Sequence, residues 1–383
     1  MEKTCPHPAA PTKARRGALA LALLGAFGGF ASFYLLLSVV PEYALHGGSG
    51  PVGAGLCTGA LMLTTVAIQP VVPRLLFVVG KRVTLASGGL LLGLPCLVMN
   101  LSDRLPALMG LSLLRGCGFG IIVVIGVTAV AELTPATKWG QGMGLYGAVV
   151  GVAGIIGSPS GVWIAHRAGY RWTFIAGGIA TVAVLVSASS APSTSSAPPG
   201  QRDALTGAVR KLVPPFLIEG ASTMAYGIVF TFLPLIVGRA PAWTAPTALL
   251  AVQASCTLSR LMSGKLVDRH GGAALLVPAI VTTAAGTVTA VFPANPVIVI
   301  LGMAVFGAGF GVIQNASLVV MLHTSQTVSV GIGSVAWNLA FDAGTGAGAV
   351  GGGIALGATD SRTVFLTMAV LLLATVAAVR RRT

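Results

Sequence analysis

Apolar residues run along this chain in blocks of about twenty, separated by short polar breaks. Inside the blocks there is no strict alternation of the kind a barrel strand shows, and no continuous polar face. A helix rising about 1.5 Å per residue needs a block of that length to cross a hydrocarbon core. The pattern therefore predicts twelve spanning helices, at 17–40, 51–73, 83–101, 106–130, 142–165, 172–189, 212–238, 247–267, 273–292, 295–322, 328–354 and 358–379. The one long polar break, Ser189 to Lys211, is rich in Ser, Pro and Ala and has no periodicity, as flexible linkers do. The expected organisation is a tail at 1–16, a six-helix bundle at 17–189, a linker at 190–211, a second bundle at 212–379 and a tail at 380–383.

Composition agrees. The chain is 55% hydrophobic and 8% charged, with a mean hydropathy of +0.89. A soluble domain carries roughly 25% charged residues, so these few cannot cover a water-facing surface. Lipid is the expected solvent, and backbone groups in lipid must be satisfied within a helix or a closed barrel. The block from Gly17 to Val40, preceded by Lys13, Arg15 and Arg16, is too long for a signal peptide's apolar core and is expected to stay as the first span.

The net charge of +14 sits in clusters between the blocks, which argues against nucleic acid and for topology signalling. With the N-terminus placed inside, seventeen of the 23 Lys and Arg fall on the inner side, including Arg74, Lys81, Arg82 and Arg260. Five fall outside, and Arg115 lies within a span. This predicts a bacterial cytoplasmic membrane protein with both termini cytoplasmic. The five cysteines have no metal-ligand spacing. No Gly-x4-Gly-Lys-Ser/Thr loop is present, so no nucleotide, metal or other cofactor is expected.

The two halves share a register of 191 residues. Arg115-Gly-Cys-Gly-Phe-Gly120 matches Phe306-Gly-Ala-Gly-Phe-Gly311. Arg171 and Phe174 match Arg362 and Phe365, Gly157 and Gly161 match Gly348 and Gly352, and Gly80 matches Gly271. Several matches at one offset indicate a duplicated six-helix unit. Parallel six-span halves are one arrangement of secondary carriers, with the substrate site near the midplane between them.

Specific segments carry a family likeness. Arg260-Leu-Met-Ser-Gly-Lys-Leu-Val-Asp-Arg-His-Gly271 resembles the charged loop motif of the major facilitator superfamily, with Gly264, Asp268, Arg269 and Gly271 at its key positions. The first-half copy is degenerate: Arg74, Gly80, Lys81 and Arg82 remain, while Phe77 occupies the acidic position. Span 5 places Gly147, Gly151, Gly154, Ser158 and Gly161 at spacings of 4, 3, 4 and 3, with Gly157 and Pro159 between them. That small-residue stripe resembles the glycine–proline motif of exporters in this superfamily, and such stripes let membrane helices approach closely. Ala336–Gly344 resembles bacterial drug and sugar-efflux members. The resemblance implies an all-α major facilitator fold, two six-helix bundles related by a pseudo-two-fold axis, with spans 1, 4, 7 and 10 lining a central cavity.

A charge at the bilayer centre costs about 2.5–3.5 kcal/mol on insertion scales, so charges inside spans are functional candidates. Arg115, Glu219 and Asp342 qualify. Glu219 is the candidate proton-coupling carboxylate, although it stands near enough to a span end to snorkel. Asp342 is a second proton site or a structural partner of Asn338 one turn away. Arg115 is a counter-charge or an anion anchor, placed by the resemblance across the cavity from Glu219. Tyr34, Tyr226, Gln314 and Asn315 could hydrogen-bond a substrate. Glu132 and His323 are expected at span ends, as a charge partner and an exposed imidazole.

These readings point to a secondary active transporter that exports a small amphipathic compound by proton antiport, and not to an enzyme, since no nucleophile–base pair or His cluster is present. A sugar or metabolite carrier and a transport-inactive membrane sensor are the alternatives. The expected partners are a small-molecule substrate, protons and the lipid bilayer, and nothing in the sequence requires more than a monomer.

Overall fold

The computed structural model describes residues 13–134, 139–190, 205–325 and 330–377. All regular structure there is helical. The first half holds α1 (Lys13–Leu37), α2 (Val39–His46), α3 (Gly50–Ile68), α4 (Val72–Val98), α5 (Leu105–Leu133), α6 (Trp139–Ala168), α7 (Tyr170–Ala180) and α8 (Val182–Ser189). The second holds α9 (Leu205–Ile236), α10 (Thr244–His270), α11 (Gly272–Thr289), α12 (Pro296–Ser325), α13 (Val330–Ala358) and α14 (Ser361–Ala374). Among the described residues, nine helical stretches are long and apolar enough to cross a membrane. Large side chains such as Leu63, Leu101, Ile179, Leu301 and Val370 are exposed, as lipid-facing residues are.

Of the twelve expected spans, those at α10, α13 and α14 are not among the nine, and the elements depart from uniform spans in three further places. The first span breaks after Leu37, and α2 continues it beyond the expected end to His46. The sixth span is α7 followed by α8, with a break at Thr181. The third begins earlier than expected: α4 starts at Val72 and is interrupted at Gly80, whose φ of 80° and ψ of 165° are non-helical. Gly271, which ends α10 and starts α11, has nearly the same dihedrals, φ 79° and ψ 148°. Both positions need a residue without a Cβ, because a positive φ crowds the side chain of any L-residue. The charged motif before Gly271 is therefore not a loop: Arg260 through His270 form the last turns of α10.

The 191-residue register reappears in the packing. A Cβ on Gly116 of α5 would meet the Leu61 carbonyl of α3, and one on Gly307 of α12 would meet the Val252 carbonyl of α10. Gly120 faces the Thr65 carbonyl and Gly311 the Cys256 carbonyl. Gly118 abuts the backbone of Leu92 and Gly88, and Gly309 that of Thr283 and Ala279. Every partner pair is again 191 residues apart. Backbone-to-backbone packing of this kind substitutes for the hydrophobic drive that helices in lipid lack.

One end of the molecule gathers cations. Lys81 pairs with Glu132 at 2.6 Å, Arg15 donates to the carbonyls of Glu132 and Leu133, and Arg82 donates to the Ser189 carbonyl at 2.6 Å. At the opposite end, Glu42 of α2 accepts from His166 at 2.6 Å and from Tyr170 at 3.3 Å, if His166 is in the donating tautomer. There the halves also touch, since α2 packs on α9 and a Cβ on Gly353 would crowd the Pro51 carbonyl. Between the halves, α3 lies along α13 and α6 along α10.

Candidate functional site

Helix α9 carries Glu219, which is 0% exposed. The chain gives it neighbours that stabilise a carboxyl without water. Gln314 Nε2 of α12 donates to one carboxylate oxygen at 2.5 Å, and the Ser317 hydroxyl donates to the other at 2.6 Å. Gln314 and Ser317 are three residues apart, so they share a face of α12. Trp337 of α13 extends the network by donating its indole N–H to Ser317 Oγ at 3.2 Å. Glu219 therefore does not snorkel to an end of its span. It is the centre of a polar knot joining α9, α12 and α13, and Gln314 holds it rather than standing free.

Asp342 of α13 is 5% exposed and accepts a hydrogen bond from Nε2 of Gln69, the residue that caps the end of α3, at 2.6 Å. The bond spans the two halves. Its neighbour Asn338 donates instead to the Ser334 carbonyl at 3.0 Å, so the expected Asn338–Asp342 patch is divided between two partners. A second cross-half contact joins Thr58 and Thr231 at 3.4 Å.

Arg115 is 1% exposed on α5. One guanidinium nitrogen reaches the Ser32 carbonyl of α1 at 3.4 Å, while Nε has no partner. The hydroxyls of Ser32 and Ser112 beside it are also unpartnered. Among the described residues no carboxylate pairs with this cation.

Tyr34 of α1 and Tyr226 of α9 come within electrostatic reach of each other and of Gln253 on α10, which brings both halves to one point. Tyr226 stacks on Phe230 at 4.2 Å and on Phe310 at 4.9 Å, and its hydroxyl has no hydrogen-bond partner. Asn315 donates to Ser263 Oγ at 3.2 Å, within the second half.

The small-residue stripe of α6 has two neighbours. Gly157 and Gly161 lie against Tyr34 and Leu35 of α1, whereas Gly151 and Gly154 lie against Thr257 and Gln253 of α10 in the other half. Ser158, next to Pro159, is buried with its hydroxyl unpartnered, and Gly147 faces open space. Of the charged-motif residues, Arg74 and Phe77 are exposed, and the Asp268 side chain lies outside the described residues. A Cβ on Gly264 would lie 3.9 Å from Asn315 Nδ2, and Arg269 is in the last turn of α10. Glu132 pairs with Lys81 and His323 is exposed, each where expected.

Four participants escaped the sequence reading: Gln69, Gln253, Ser317 and Trp337. A fifth, Arg260, had been counted as a surface charge. Its guanidinium stands over the Trp337 ring, 5.4 Å from the centroid. The internal register offers the signal that could have found it, since Arg260 is 191 residues after Gln69.

Two sets of helices in one register, each with a buried charge-bearing residue and joined across the halves at Asp342, have the arrangement of a secondary carrier with its site between the halves. The chain belongs to the Major Facilitator Superfamily, whose family model matches residues 22–348. It is a transporter of that family and not an enzyme. A crystal structure of a variant of the nucleoside transporter NupG superposes with a TM-score of 0.75, covering 94% of this chain and 99% of that one at 16% identity. That likeness shows the fold alone. The multidrug transporter protein MdtP of Bacillus subtilis is 26% identical over 117 residues, which is 30% of this chain and 22% of MdtP. The "Probable multidrug-efflux transporter Rv1634" of Mycobacterium tuberculosis is 28% identical over 141 residues, 37% of this chain and 30% of that protein. The chain thus matches less than a third of the length of these curated relatives.

Proposed function

We propose that this protein exports a small amphipathic compound across a bacterial cytoplasmic membrane in exchange for protons, with both termini on the cytoplasmic, Arg-rich side. The halves 17–189 and 212–379 rock about the α3–α13 and α6–α10 contacts, exposing the site to each face in turn. The observation that carries the proton coupling is the Glu219 knot. A carboxyl placed in a span, out of reach of water and tied to Gln314 and Ser317, is costly to keep and is a functional group by default. Asp342, bonded across the halves to Gln69, is the second proton-sensitive contact, and Arg115 is the unpaired counter-charge of the first half. Export is favoured by the glycine stripe of α6, which reaches both α1 and α10, and by the efflux function named for the partial relatives.

The reading is tested in inverted vesicles with an inward-acid gradient and a panel of fluorescent amphipathic compounds. Gradient-dependent uptake by the wild type is expected, falling at least about tenfold in Glu219→Gln, which retains the shape and loses the titration. Undiminished gradient-driven uptake by the variant would remove Glu219 from the coupling.

A further inference from the structure

Arg115 and Arg260 stand well inside the long helices α5 and α10, and neither forms an ion pair among the described residues. Arg115 is sealed at 1% exposure. Arg260 is different. It stands ten residues before the end of α10 at His270, about 15 Å along the helix axis from that end. Its side chain is half-buried, so it is reachable. It lies over Trp337 of α13, although α10 and α13 have no extended packed interface. Its helix packs along α6 of the first half and along α12 of the second, so elements of both halves flank it.

A guanidinium carries five N–H donors, and none of those on Arg260 is used by a described acceptor. The carboxyl oxygens of Glu219 are engaged already, by Gln314 and Ser317. Stacking on an indole is worth only about 0.5–2 kcal/mol, so the indole holds the guanidinium without occupying its donors, which stay available to a ligand. The planar fork of Arg fits the two oxygens of a carboxylate or similar oxyanion. From Trp337 an aromatic run leads away: Phe341 is tilted at 6.0 Å from it, Tyr226 lies 5.8 Å from Phe341, and Tyr226 stacks on Phe230 and on Phe310.

We infer that Arg260 anchors the oxyanion of the transported compound, whose body is aromatic, so that the cargo is an amphipathic organic anion rather than a cation. Trp337 holds the guanidinium in place, and the Tyr226 hydroxyl and Gln253 offer a second polar contact. This rests on the transport reading above and names the substrate class of that site.

The test uses three probes that share one ring system: anthracene-9-carboxylate, 9-anthracenemethanol and 9-(aminomethyl)anthracene. Binding to the purified full-length protein is read by quenching of tryptophan fluorescence. The wild type is expected to bind the carboxylate at least about tenfold more tightly than the alcohol, and the ammonium most weakly, the size of one charge-assisted hydrogen-bond pair. In Arg260→Gln the carboxylate-to-alcohol ratio should fall toward one, and Arg260→Lys should recover part of it. A wild type that prefers the ammonium, binds none of the three, or shows no carboxylate preference overturns the assignment, and so does a ratio that persists in Arg260→Gln. If Arg260→Gln does not fold, the wild-type order and the Arg260→Lys ratio decide. Flux of the same probes in proteoliposomes separates the two readings. Carboxylate-selective binding without flux overturns transport and leaves the anchor, whereas flux without selectivity overturns the anchor and leaves transport.

Discussion

At the scale of the residue, the question is what a buried carboxyl costs and what holds it. Glu219 accepts from Gln314 and Ser317, and both donors are themselves buried. Removing the acceptor strands two donors, and a buried unpaired polar group costs about 1–3 kcal/mol. Glu219→Ala should therefore lower the thermal stability of the detergent-solubilised protein clearly, while Glu219→Gln, whose amide can still accept from Gln314 and meet the Ser317 hydroxyl, should melt near the wild type. Equal melting of both variants would show that the hydrogen bonds seen here contribute nothing to stability. The candidates themselves were legible in the chain, because an ionisable residue inside an apolar block stands out on its own. Their partners were not. Gln69 is 273 residues from Asp342 and Ser317 is 98 from Glu219, and no local pattern selects them. Arg260 was misplaced for a related reason. It belongs to a cluster ending in Arg269 and Gly271 that looks like a loop, and only the unbroken helix to His270 sets its depth.

At the scale of the element, glycine decides how close two helices come. The stripe on α6 was visible as a spacing, but the spacing could not say that it serves two helices at once. Gly161 faces a backbone carbonyl, Leu35 O of α1, which cannot move without its helix. Gly154 faces the flexible end of Gln253 on α10, with Tyr34 at 3.2 Å. Gly161→Ala is accordingly expected to reduce folded yield and melting temperature more than Gly154→Ala, whose added methyl is accommodated by a rotation of Gln253. The reverse ranking in a thermal-shift assay would contradict this division of the stripe. The break at Gly80 and the turn at Gly271 were legible as repeat positions, and their shared positive φ explains why Gly occupies both. The breaks after Leu37 and at Thr181 left no mark in hydropathy, because the residues on both sides are equally apolar. Depth in lipid is encoded by composition, and an interruption of the helical hydrogen-bond ladder at constant composition is not.

At the scale of the whole molecule, a carrier must close one end while the other opens, and the structure shows how one end is closed. Helix α2 packs on α9, a Cβ on Gly353 would crowd the Pro51 carbonyl, and the ideal Cβ position of Gly357 lies 3.3 Å from a Val52 methyl. These contacts join the halves at the end away from the cationic cluster. If the halves rock as units, the contacts must separate once per cycle, by more than a disulfide between them would allow. Val52 and Gly357 are both exposed, so cysteines there can be oxidised from solution. Among the described residues no native cysteine is exposed: Cys57 and Cys96 are buried and Cys117 and Cys256 half-buried. The double variant Val52→Cys/Gly357→Cys should cross-link readily under mild oxidation, lose flux as it does so, and regain flux on reduction. It should keep binding a ligand offered from the cationic side, because the linked state is the one described. Full flux in the oxidised protein would mean that this end never opens, and the passage between the halves would have to follow another route. A loss of flux that reduction does not reverse would instead place the damage in folding, which the single variants would then show separately.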